Sequence, residues 1–458
     1  MMTQLRKRIL FPVVIVLGMA ACSDDPAAPE EESASFSRMI GGVTNNDGLV
    51  GATVTSSGLR VVSGTFSGVI HATGSADSLV APSSADFYVA AFESDGGLAW
   101  MRRYGGSGLE KPFAVGRDAS DNLFITGTYT GDTNFEGTNL TGQGVLVAKL
   151  NAAGNPQWAV GGGSSGFDAG ADVAGAQDGG AFVCGVAELP FQLAGLTVGE
   201  TDHDGFLVRL SSLGGGVWTE TAGGSSDAGC RALVRASDGS VYVTGEYLGG
   251  DLTIAGTTFS SAGDFDGFIA HFSDAGGDLS AIRIGGDGAA LPRGIALLDG
   301  ETVVAGYMSG TVDFDMLTAA GSETSAGASD VFVARYRANG TLAWVRRFGG
   351  VDVEFLWDVC RIGANDILVA GQFDSSITFG STTLTTNGDR DIFMLQLHGD
   401  GSVVSAAKVG SAVVDFFPAV ASAGESAILV GATGGETRFP DGTVRTGFGG
   451  ADNFIFQR

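Results

Sequence analysis

The heptapeptide DVFVARY at residues 330–336 recurs along the whole chain. Each copy is a run of β-branched, aromatic and other apolar residues, which is typical of a strand buried on both faces. Successive copies start 58 to 64 residues apart: DFYVAAF at 86, GVLVAKL at 144, DGFLVRL at 204, DGFIAHF at 266, DVFVARY at 330, DIFMLQL at 391 and DNFIFQR at 452. A regular interval of this length predicts seven units that bury their apolar faces against one another.

A second anchor keeps the same interval and consists of an apolar residue, a small residue and glycine. The copies end at Gly64, Gly127, Gly185, Gly245, Gly306 and Gly371, and in the seventh unit at Ala432. A glycine inside such a β-rich run indicates that a backbone or a bulky side chain approaches closely.

A third anchor is an aromatic strand that ends in paired glycines, as in LAWMRRYGG from 98 and TLAWVRRFGG from 341, with looser copies at Trp158 and Trp218. A glycine four residues before each tryptophan predicts a hairpin turn, at Gly96, Gly154, Gly214 and Gly340. We interpret these tryptophans as packing between units.

Each unit therefore carries four strands, which we call A to D. The segment ASFSRMIGG from 34 aligns with LAWMRRYGG from 98, with Phe36 under Trp100 and Arg38 under Arg102, whereas the last unit has no strand D after residue 458. Closure of a ring by a shared unit explains both features better than an open solenoid. The predicted fold is all-β: a seven-bladed β-propeller of four-stranded antiparallel blades, closed by an N-terminal strand that completes the last blade.

The units resemble bacterial β-propeller repeats of the SBBP type. Three features carry the resemblance: the glycine pair, the strand that ends in the second anchor, and the strand that is similar to DxFVAKL. The resemblance covers residues 34–458 and implies the propeller fold, but no shared activity. Gly144, which replaces the usual acid, is the clearest departure.

The N-terminus predicts export. Arg6, Lys7 and Arg8 precede a thirteen-residue apolar run that is too short to cross a bilayer. The sequence Met19-Ala20-Ala21-Cys22 resembles a bacterial lipobox, which implies a cleaved signal peptide (1–21) and a lipid on Cys22. Residues 22–33 are rich in Pro, Ala and acids and predict a disordered tether before the propeller at 34–458. We expect a monomer anchored in the cell envelope, at the outer membrane, that contacts the membrane through the lipid alone.

The mature chain is strongly acidic. Without the signal peptide it has 22 Lys and Arg against 51 Asp and Glu, a net charge of −29. Such a charge repels nucleic acid and anionic lipid, so a charged partner should be a cation or a basic surface. We expect a protein or glycan partner and no nucleic acid. The remaining cysteines Cys184, Cys230 and Cys360 have no metal-ligand spacing and are predicted to be small buried residues.

Two sets of acids recur in the units. The strand-C acids open strand C at a constant register, which indicates a structural cap: Asp86, Asp204, Asp266, Asp330, Asp391 and Asp452. The turn acids follow the glycine pair between strands D and A: Asp47, Glu110, Asp168, Asp227, Asp287, Asp352 and Asp415. With the long connections between strands B and C, which contain few basic residues, they predict an acidic, loop-rich face. Two interpretations remain open: a Ca²⁺ or other cation site, or acids that accept hydrogen bonds from their own turns.

No catalytic motif stands out, and no cofactor is expected. Arg117, Arg231, Arg235, Arg293 and Arg361 lie in or near strand A, but alternation along a strand leaves their direction open. We therefore predict a non-enzymatic binding or scaffolding protein, and keep as the alternative a hydrolase or lyase acting at the mouth of the channel. Convergent polar side chains at one mouth would favour an enzyme; a channel lined by Gly, Ala and backbone would favour a scaffold.

Overall fold

The computed structural model describes residues 35–42, 48–81, 85–135, 137–315 and 321–457. All regular structure in these ranges is β-strand. None of these residues forms a helix that could cross a membrane. The predicted signal peptide, Cys22, the predicted tether and Asp47 lie outside the described residues.

Seven sheets contain the predicted four strands in the order A-B-C-D. Blade 1 is β2 (Gly48–Val54), β3 (Arg60–Phe66), β6 (Asp86–Phe92) and β7 (Leu98–Tyr104). Blade 2 is β8 (Leu109–Arg117), β9 (Leu123–Thr130), β12 (Gln143–Leu150) and β13 (Pro156–Gly162). Blade 3 is β14 (Ala169–Gly175), β15 (Ala181–Ala187), β18 (Asp204–Leu210) and β19 (Gly216–Gly224).

Blade 4 is β20 (Asp227–Arg235), β21 (Val241–Leu248), β24 (Asp266–Phe272) and β25 (Asp278–Ile284). Blade 5 is β26 (Ala289–Leu298), β27 (Glu301–Ser309), β30 (Asp330–Tyr336) and β31 (Leu342–Phe348). Blade 6 is β32 (Glu354–Ile362), β33 (Asp366–Phe379), β34 (Thr382–His398) and β35 (Val403–Val409). Blade 7 is β36 (Phe416–Ala423), β37 (Ser426–Arg438), β38 (Val444–Gln457) and β1 (Phe36–Gly41).

The ring closes as the sequence predicts. Strand β1 pairs antiparallel with β38, so that Phe36 lies opposite Gln457 and Met39 opposite Phe454. Strand β2 of blade 1 packs against β36 of blade 7, and one apolar cluster joins the two blades. The structure is therefore a closed seven-bladed β-propeller.

The tryptophans of strand D pack between blades, as predicted. Trp158 donates a hydrogen bond from Nε1 to the carbonyl of Ser212 (2.9 Å) in the next blade, and Trp344 donates one to Gly399 (2.9 Å). At the closing blade Phe36 takes the place of tryptophan and lies over Gly96. The neighbouring Arg38 donates from Nε to the carbonyl of Gly96 at 2.8 Å. The N-terminal strand therefore makes the inter-blade contacts of an ordinary strand D.

The glycine pair after strand D is required by two close neighbours. At Gly285 an added Cβ would overlap the carboxylate of Asp266, the strand-C acid of the same blade. At Gly286 it would meet the backbone of Thr311 in the following blade. The anchor glycine of strand B is equally confined, because a Cβ on Gly245 would overlap the carbonyl of Gly229 in strand A. Both repeated glycine motifs thus serve close packing.

The long connections between strands B and C are β-hairpins rather than the loops we expected. Five are separate pairs: β4 (Val69–Ala72) with β5 (Ser78–Val80), β10 (Thr133–Phe135) with β11 (Thr138–Leu140), β16 (Phe191–Leu193) with β17 (Leu196–Val198), β22 (Asp251–Ile254) with β23 (Thr257–Ser260), and β28 (Thr311–Asp313) with β29 (Ser322–Thr324). In blades 6 and 7 the hairpin extends strands B and C themselves. Short alternating runs such as Leu252 and Ile254, both buried, fold each hairpin onto the protein.

Strand A contains a β-bulge in every blade, at residues 50, 113, 171, 231, 293, 357 and 417–418. A bulge bends the strand and redirects the side chain that it carries. After two of the bulges a buried aspartate reaches the next blade: Asp172 accepts from the amide of Leu233 (2.9 Å), and Asp358 from that of Val420 (2.8 Å). These carboxyl groups link neighbouring A strands near the centre of the ring.

Candidate functional site

The strand-C acids are structural caps, in agreement with the sequence prediction. All six are fully buried. Asp266 accepts a hydrogen bond from the amide of Ala262 at 2.9 Å, and Asp391 accepts one from the amide of Asn387 at 2.9 Å. Asp204, Asp330 and Asp452 accept similar bonds, so these five acids fix the turns that lead into their strands, which is a role in folding rather than in ligand binding.

Four strand-C acids also pair with a cation from strand D of the same blade. The pairs are Arg103 with Asp86, Arg283 with Asp266 (3.1 Å), Arg347 with Asp330, and Lys408 with Asp391 (2.7 Å). Blade 2 replaces both partners together: Gly144 stands in place of the acid, and Gly161 takes the register position of the cation. The ring of Tyr129 lies against Gly161 and occupies the space.

The turn acids separate into two groups. Glu110, Asp168 and Asp415 are buried and accept hydrogen bonds from nearby groups, such as the hydroxyl of Thr133 to Glu110 (2.6 Å) and the amide of Ser411 to Asp415 (2.9 Å). The other three described turn acids are more accessible: Asp227 and Asp287 are exposed, and Asp352 is half-buried.

A shared backbone hydrogen bond shows which residues are equivalent at the start of strand A. The amides of Glu110, Glu354 and Asp415 each donate to the carbonyl of the residue just before the strand-C acid of the preceding blade. In blade 6 the buried position therefore belongs to Glu354, two residues after the predicted Asp352. In blades 4 and 5 the same hydrogen bond is made by Ala228 and Ala290. Those two blades lack a buried carboxyl at this position.

The buried carboxyls at the blade junctions hold their protons more tightly than usual. Burial raises the pKa of Glu110 and of Glu354 to about 7, and the pKa of Asp415 to about 6. Negative charge on the strand-C acids Asp86 and Asp330 adds to the rise at Glu110 and Glu354. Over the described ranges, no three His, Cys, Asp or Glu side chains are grouped so that they could hold a metal ion.

A pocket of about 440 Å³ opens among blades 3 to 6, on the side where strands D and B lead into their connections. We call it the mouth pocket. Its lining includes Phe167 and Leu248, which are both exposed, and Ala228, the residue that replaces the junction carboxyl in blade 4. Three residues at strand-A bulges also line the pocket: Arg231, Arg293 and Trp357. The pocket thus lies where the repeat departs from its usual small and apolar residues.

Two arginines of the mouth pocket share one glutamate. Arg231 donates from Nε to Oε1 of Glu246 (2.6 Å), and Arg293 donates from NH1 to Oε2 of the same carboxylate (2.6 Å). Arg293 also donates from NH2 to the hydroxyl of Tyr307 (3.1 Å) and lies over its ring, 5.1 Å from the centroid. The three charged side chains are only 6 to 13% exposed. The cluster is therefore rigid and fixed before any ligand arrives.

The charge of Glu246 is fixed by its two partners. Burial alone would raise the pKa of Glu246, but the charges and hydrogen bonds of Arg231 and Arg293 outweigh it and hold the pKa below its usual range. Burial would likewise lower the pKa of Arg293, and the charge of Glu246 together with Tyr307 raises it instead. The carboxylate uses both oxygens for the arginines and stays ionised at neutral pH.

An aromatic group borders the arginines. Trp357 donates from Nε1 to Oε1 of Gln372 (2.5 Å), and Gln372 in turn donates to the carbonyl of Asp415 (2.5 Å). The indole lies 6.5 Å from the ring of Tyr307 and 6.2 Å, nearly perpendicular, from the ring of Phe417. Trp357 is the one tryptophan of five that lies outside strand D. Its plane is held by hydrogen bonds and by neighbouring rings.

The five arginines considered in the sequence separate along strand A. Arg231 and Arg293 lie at the bulges and meet in the mouth pocket. Arg117, Arg235 and Arg361 lie at the far end of the strand, where Arg117 pairs with Asp121 at 3.3 Å and Arg361 donates to the carbonyl of Gly363 at 2.9 Å. Convergent polar side chains, which we expected of an enzyme, do occupy this mouth. The arginines and the glutamate among them, however, are held in ion pairs with one another.

Glu246, Tyr307, Trp357 and Gln372 were not singled out in the sequence. A signal was present one residue after the anchor glycine of strand B. In blade 7 the structure places Gly431, rather than the predicted Ala432, at the anchor position, because Gly431 pairs with Phe454 as Gly371 pairs with Phe393. The seven residues that follow the anchor glycine are Thr65, Thr128, Val186, Glu246, Tyr307, Gln372 and Ala432. Three consecutive blades thus carry a large polar or aromatic side chain where the other four carry a small or aliphatic one.

No family model matches the sequence. A stretch of 193 residues is 28% identical to the regulatory protein FlaEY of Caulobacter vibrioides. That stretch is 41% of this chain and only 20% of the relative, so the match covers a fifth of that protein.

Solved structures that resemble the chain are distant. They include a quinohemoprotein alcohol dehydrogenase from Comamonas testosteroni, with 11% identity, coverage of 95% of this chain and 78% of that one, and a TM-score of 0.44. They also include a polysaccharide lyase of family PL25, an ulvan lyase, with 11% identity, coverage of 91% and 97%, and a TM-score of 0.43. A protein of unknown function from Bacteroides caccae has 10% identity, coverage of 82% and 94%, and a TM-score of 0.33.

Proposed function

We propose that the protein is a non-enzymatic binding protein that receives part of a partner in the mouth pocket. The observation that carries this proposal is the fixed cluster of Arg231, Glu246, Arg293 and Tyr307 at one mouth of the ring. A pocket with a few fixed polar groups and an apolar border is the usual form of a small-molecule site. The surrounding hairpins supply a rigid face against which a larger partner can rest.

The locked ion pairs favour binding over catalysis. A general acid or base must exchange a proton near neutral pH, whereas the partners of Glu246 keep it ionised. Both of its oxygens are occupied by arginine N–H groups. The hydrogen bonds within the cluster therefore need not change when a ligand binds beside it.

A hydrolase or lyase at the same mouth is the second candidate. It is favoured by the convergence of His203, Asp227 and Tyr307 on the pocket that contains the two arginines. The Nδ1 atom of His203 lies 4.0 Å from Oδ1 of Asp227, so an imidazole and a carboxylate lie side by side at the border of the pocket. This candidate requires the pocket's ligand to be converted.

Binding and catalysis separate in one experiment. The full chain, purified in detergent, is incubated with glycan and protein fractions of the cell envelope, and both retention and product masses are measured. We expect retention of unmodified ligand that Arg293→Ala abolishes. Arg361→Ala is the matched control, because this arginine also lies on strand A but outside the pocket. Equal retention by both variants would contradict the proposal, and a product of altered mass would establish the enzyme.

We also propose that the chain is exported and held at the outer membrane by a lipid on Cys22. The support is the basic start, the short apolar run and the lipobox-like Met19-Ala20-Ala21-Cys22. The intact mass of the cell-derived protein tests this: we expect a chain that begins at Cys22 and carries added acyl mass. A Cys22→Ser variant that keeps the same mass increment and the same membrane fraction would contradict it.

A further inference from the structure

We propose that the mouth pocket receives an uncharged sugar unit of an oligosaccharide, stacked on Trp357 and hydrogen-bonded by Arg231, Arg293 and Tyr307. This inference rests on the proposed binding function and names the class of ligand. It follows from three properties of the pocket: a fixed aromatic side chain, mixed hydrogen-bonding groups and opposing charges.

The aromatic property comes from Trp357. Its indole N–H is already used by Gln372, so the polar edge is satisfied within the protein. The ring is half-buried and lines the pocket. The four other tryptophans pack in strand D between blades. Because its N–H is bound within the protein and its ring lines the cavity, the indole offers an apolar surface for the C–H face of a sugar.

The polar groups match hydroxyls. Each hydroxyl both donates and accepts hydrogen bonds. Arg231 and Arg293 have more N–H groups than Glu246 uses, and Tyr307 has a hydroxyl of its own. The carboxylate of Asp227 lies on the border of the same pocket and is 68% exposed, so it is free to accept. Donors and acceptors thus lie side by side, as a ligand with neighbouring hydroxyls requires.

Charge selects an uncharged ligand. The pocket is lined by two arginines and by three carboxylates, Glu188, Asp227 and Glu246. The whole chain carries a net charge of −26, so an anionic ligand is repelled from a distance. A cation that entered the pocket would meet the guanidinium groups of Arg231 and Arg293. A polyhydroxylated neutral group meets neither penalty.

The size of the pocket fits a short segment of a carbohydrate. Its volume of about 440 Å³ lies within the ~300–1,000 Å³ range of small-molecule sites. The exposed side chains of Phe167 and Leu248 border it. The rest of an oligosaccharide can therefore leave the pocket over an apolar edge.

Titration calorimetry and tryptophan fluorescence on the full chain test the inference. The probes are neutral gluco-, manno- and N-acetylglucosamine oligosaccharides, oligogalacturonates, and unstructured peptides. We expect binding of at least one neutral series, with loss of about tenfold or more in affinity for Trp357→Ala and a smaller loss for Trp357→Phe. Trp218→Phe is the matched control, since Trp218 lies in strand D and outside the pocket. Melting temperatures establish that each variant is folded.

The possible results distinguish the two proposals. Binding of oligogalacturonates or peptides alone, with dependence on Trp357, would overturn the uncharged-sugar inference and leave the binding function intact. Binding of neutral sugars that is equal in Trp357→Ala, Arg293→Ala and the unaltered chain would overturn both. Failure of every neutral series to bind would also overturn the sugar inference, and the envelope-fraction experiment above would then decide the binding function.

Discussion

Glu246 and Glu354 are both buried glutamates near the same mouth of the ring, but their proton affinities shift in opposite directions. Glu246 receives hydrogen bonds from two arginines, and its pKa is lowered. Glu354 receives one from the amide of Gly350 (3.3 Å) and lies near Asp330, and its pKa rises to about 7 because of burial. The number of cations that contact each buried carboxylate therefore decides whether it stays ionised or can take up a proton near neutral pH.

The difference follows the repeat. At the start of blades 2 and 6, a strand-D arginine forms an ion pair with the strand-C acid: Arg103 with Asp86, and Arg347 with Asp330. A second carboxyl, Glu110 or Glu354, lies near each pair. At the mouth, two strand-A arginines serve one glutamate. The first arrangement closes blades together, whereas the second holds a positive pair at the border of an open pocket.

Removal of Glu246 should have the largest effect. Glu246→Ala leaves Arg231 and Arg293 buried without their partner, and we expect a loss of about 3–5 kcal/mol in the free energy of unfolding. Urea denaturation measures it. Glu436→Ala is the matched control, because Glu436 pairs with Arg438 on the surface, where both are more than 60% exposed; we expect no more than about 1 kcal/mol there. Similar losses of unfolding free energy in the two variants would show that the ion pairs of Glu246 do not stabilise the fold.

Crowding a junction should have the next largest effect. An added methyl group at Gly349 would overlap the carboxylate of Asp330, so we expect Gly349→Ala to cost about 1–3 kcal/mol. Gly48→Ala is the control, since an added Cβ there has no neighbour within 4 Å. Thermal melting compares the two. Equal melting temperatures would mean that the strand-C acid Asp330 is not tightly packed against Gly349.

The sequence contains enough to predict the ring and too little to predict the pocket. The interval of the repeats, the match of Phe36 to Trp100 and the glycine pairs all report packing that is copied from blade to blade, so repetition makes them visible. The pocket arises from what is not copied. Arg231, Arg293 and Trp357 stand at bulges, where the regular alternation of a strand is interrupted and the direction of a side chain cannot be deduced from its position. The hairpins between strands B and C were missed for another reason: their strands are only three or four residues long.

The junction carboxyls should make stability depend on pH in a characteristic direction. The folded pKa values of Glu110 and Glu354 lie near 7, above the ordinary value of 4.5. The stabilising protonation is complete below the unfolded pKa and is lost as the pH rises through the folded pKa. We therefore expect greater stability at pH 5 than at pH 8. Urea midpoints over this range measure it.

Self-repulsion of an acidic chain acts in the same direction, so a variant is needed to isolate the junction. Glu354→Gln cannot ionise and should show a weaker dependence on pH between 5 and 8 than the unaltered chain. Asp441→Asn removes an exposed charge that caps its own turn and serves as the control. An identical pH dependence in Glu354→Gln and the unaltered chain would contradict a raised pKa at the junction.

Calcium should have the smallest effect. The turn acids were candidates for a Ca²⁺ site, but the buried ones accept hydrogen bonds from their own turns, as Asp415 does from the amide and the hydroxyl of Ser411 (2.9 and 2.8 Å). Ca²⁺ requires six to eight oxygen ligands, and the exposed Asp227 and Asp287 lie on separate turns. We expect equal melting temperatures in calcium and in EDTA. A rise in calcium that Asp287→Asn abolishes would instead place a metal site among the turn acids, and the acidic face would then bind cations in addition to its structural role.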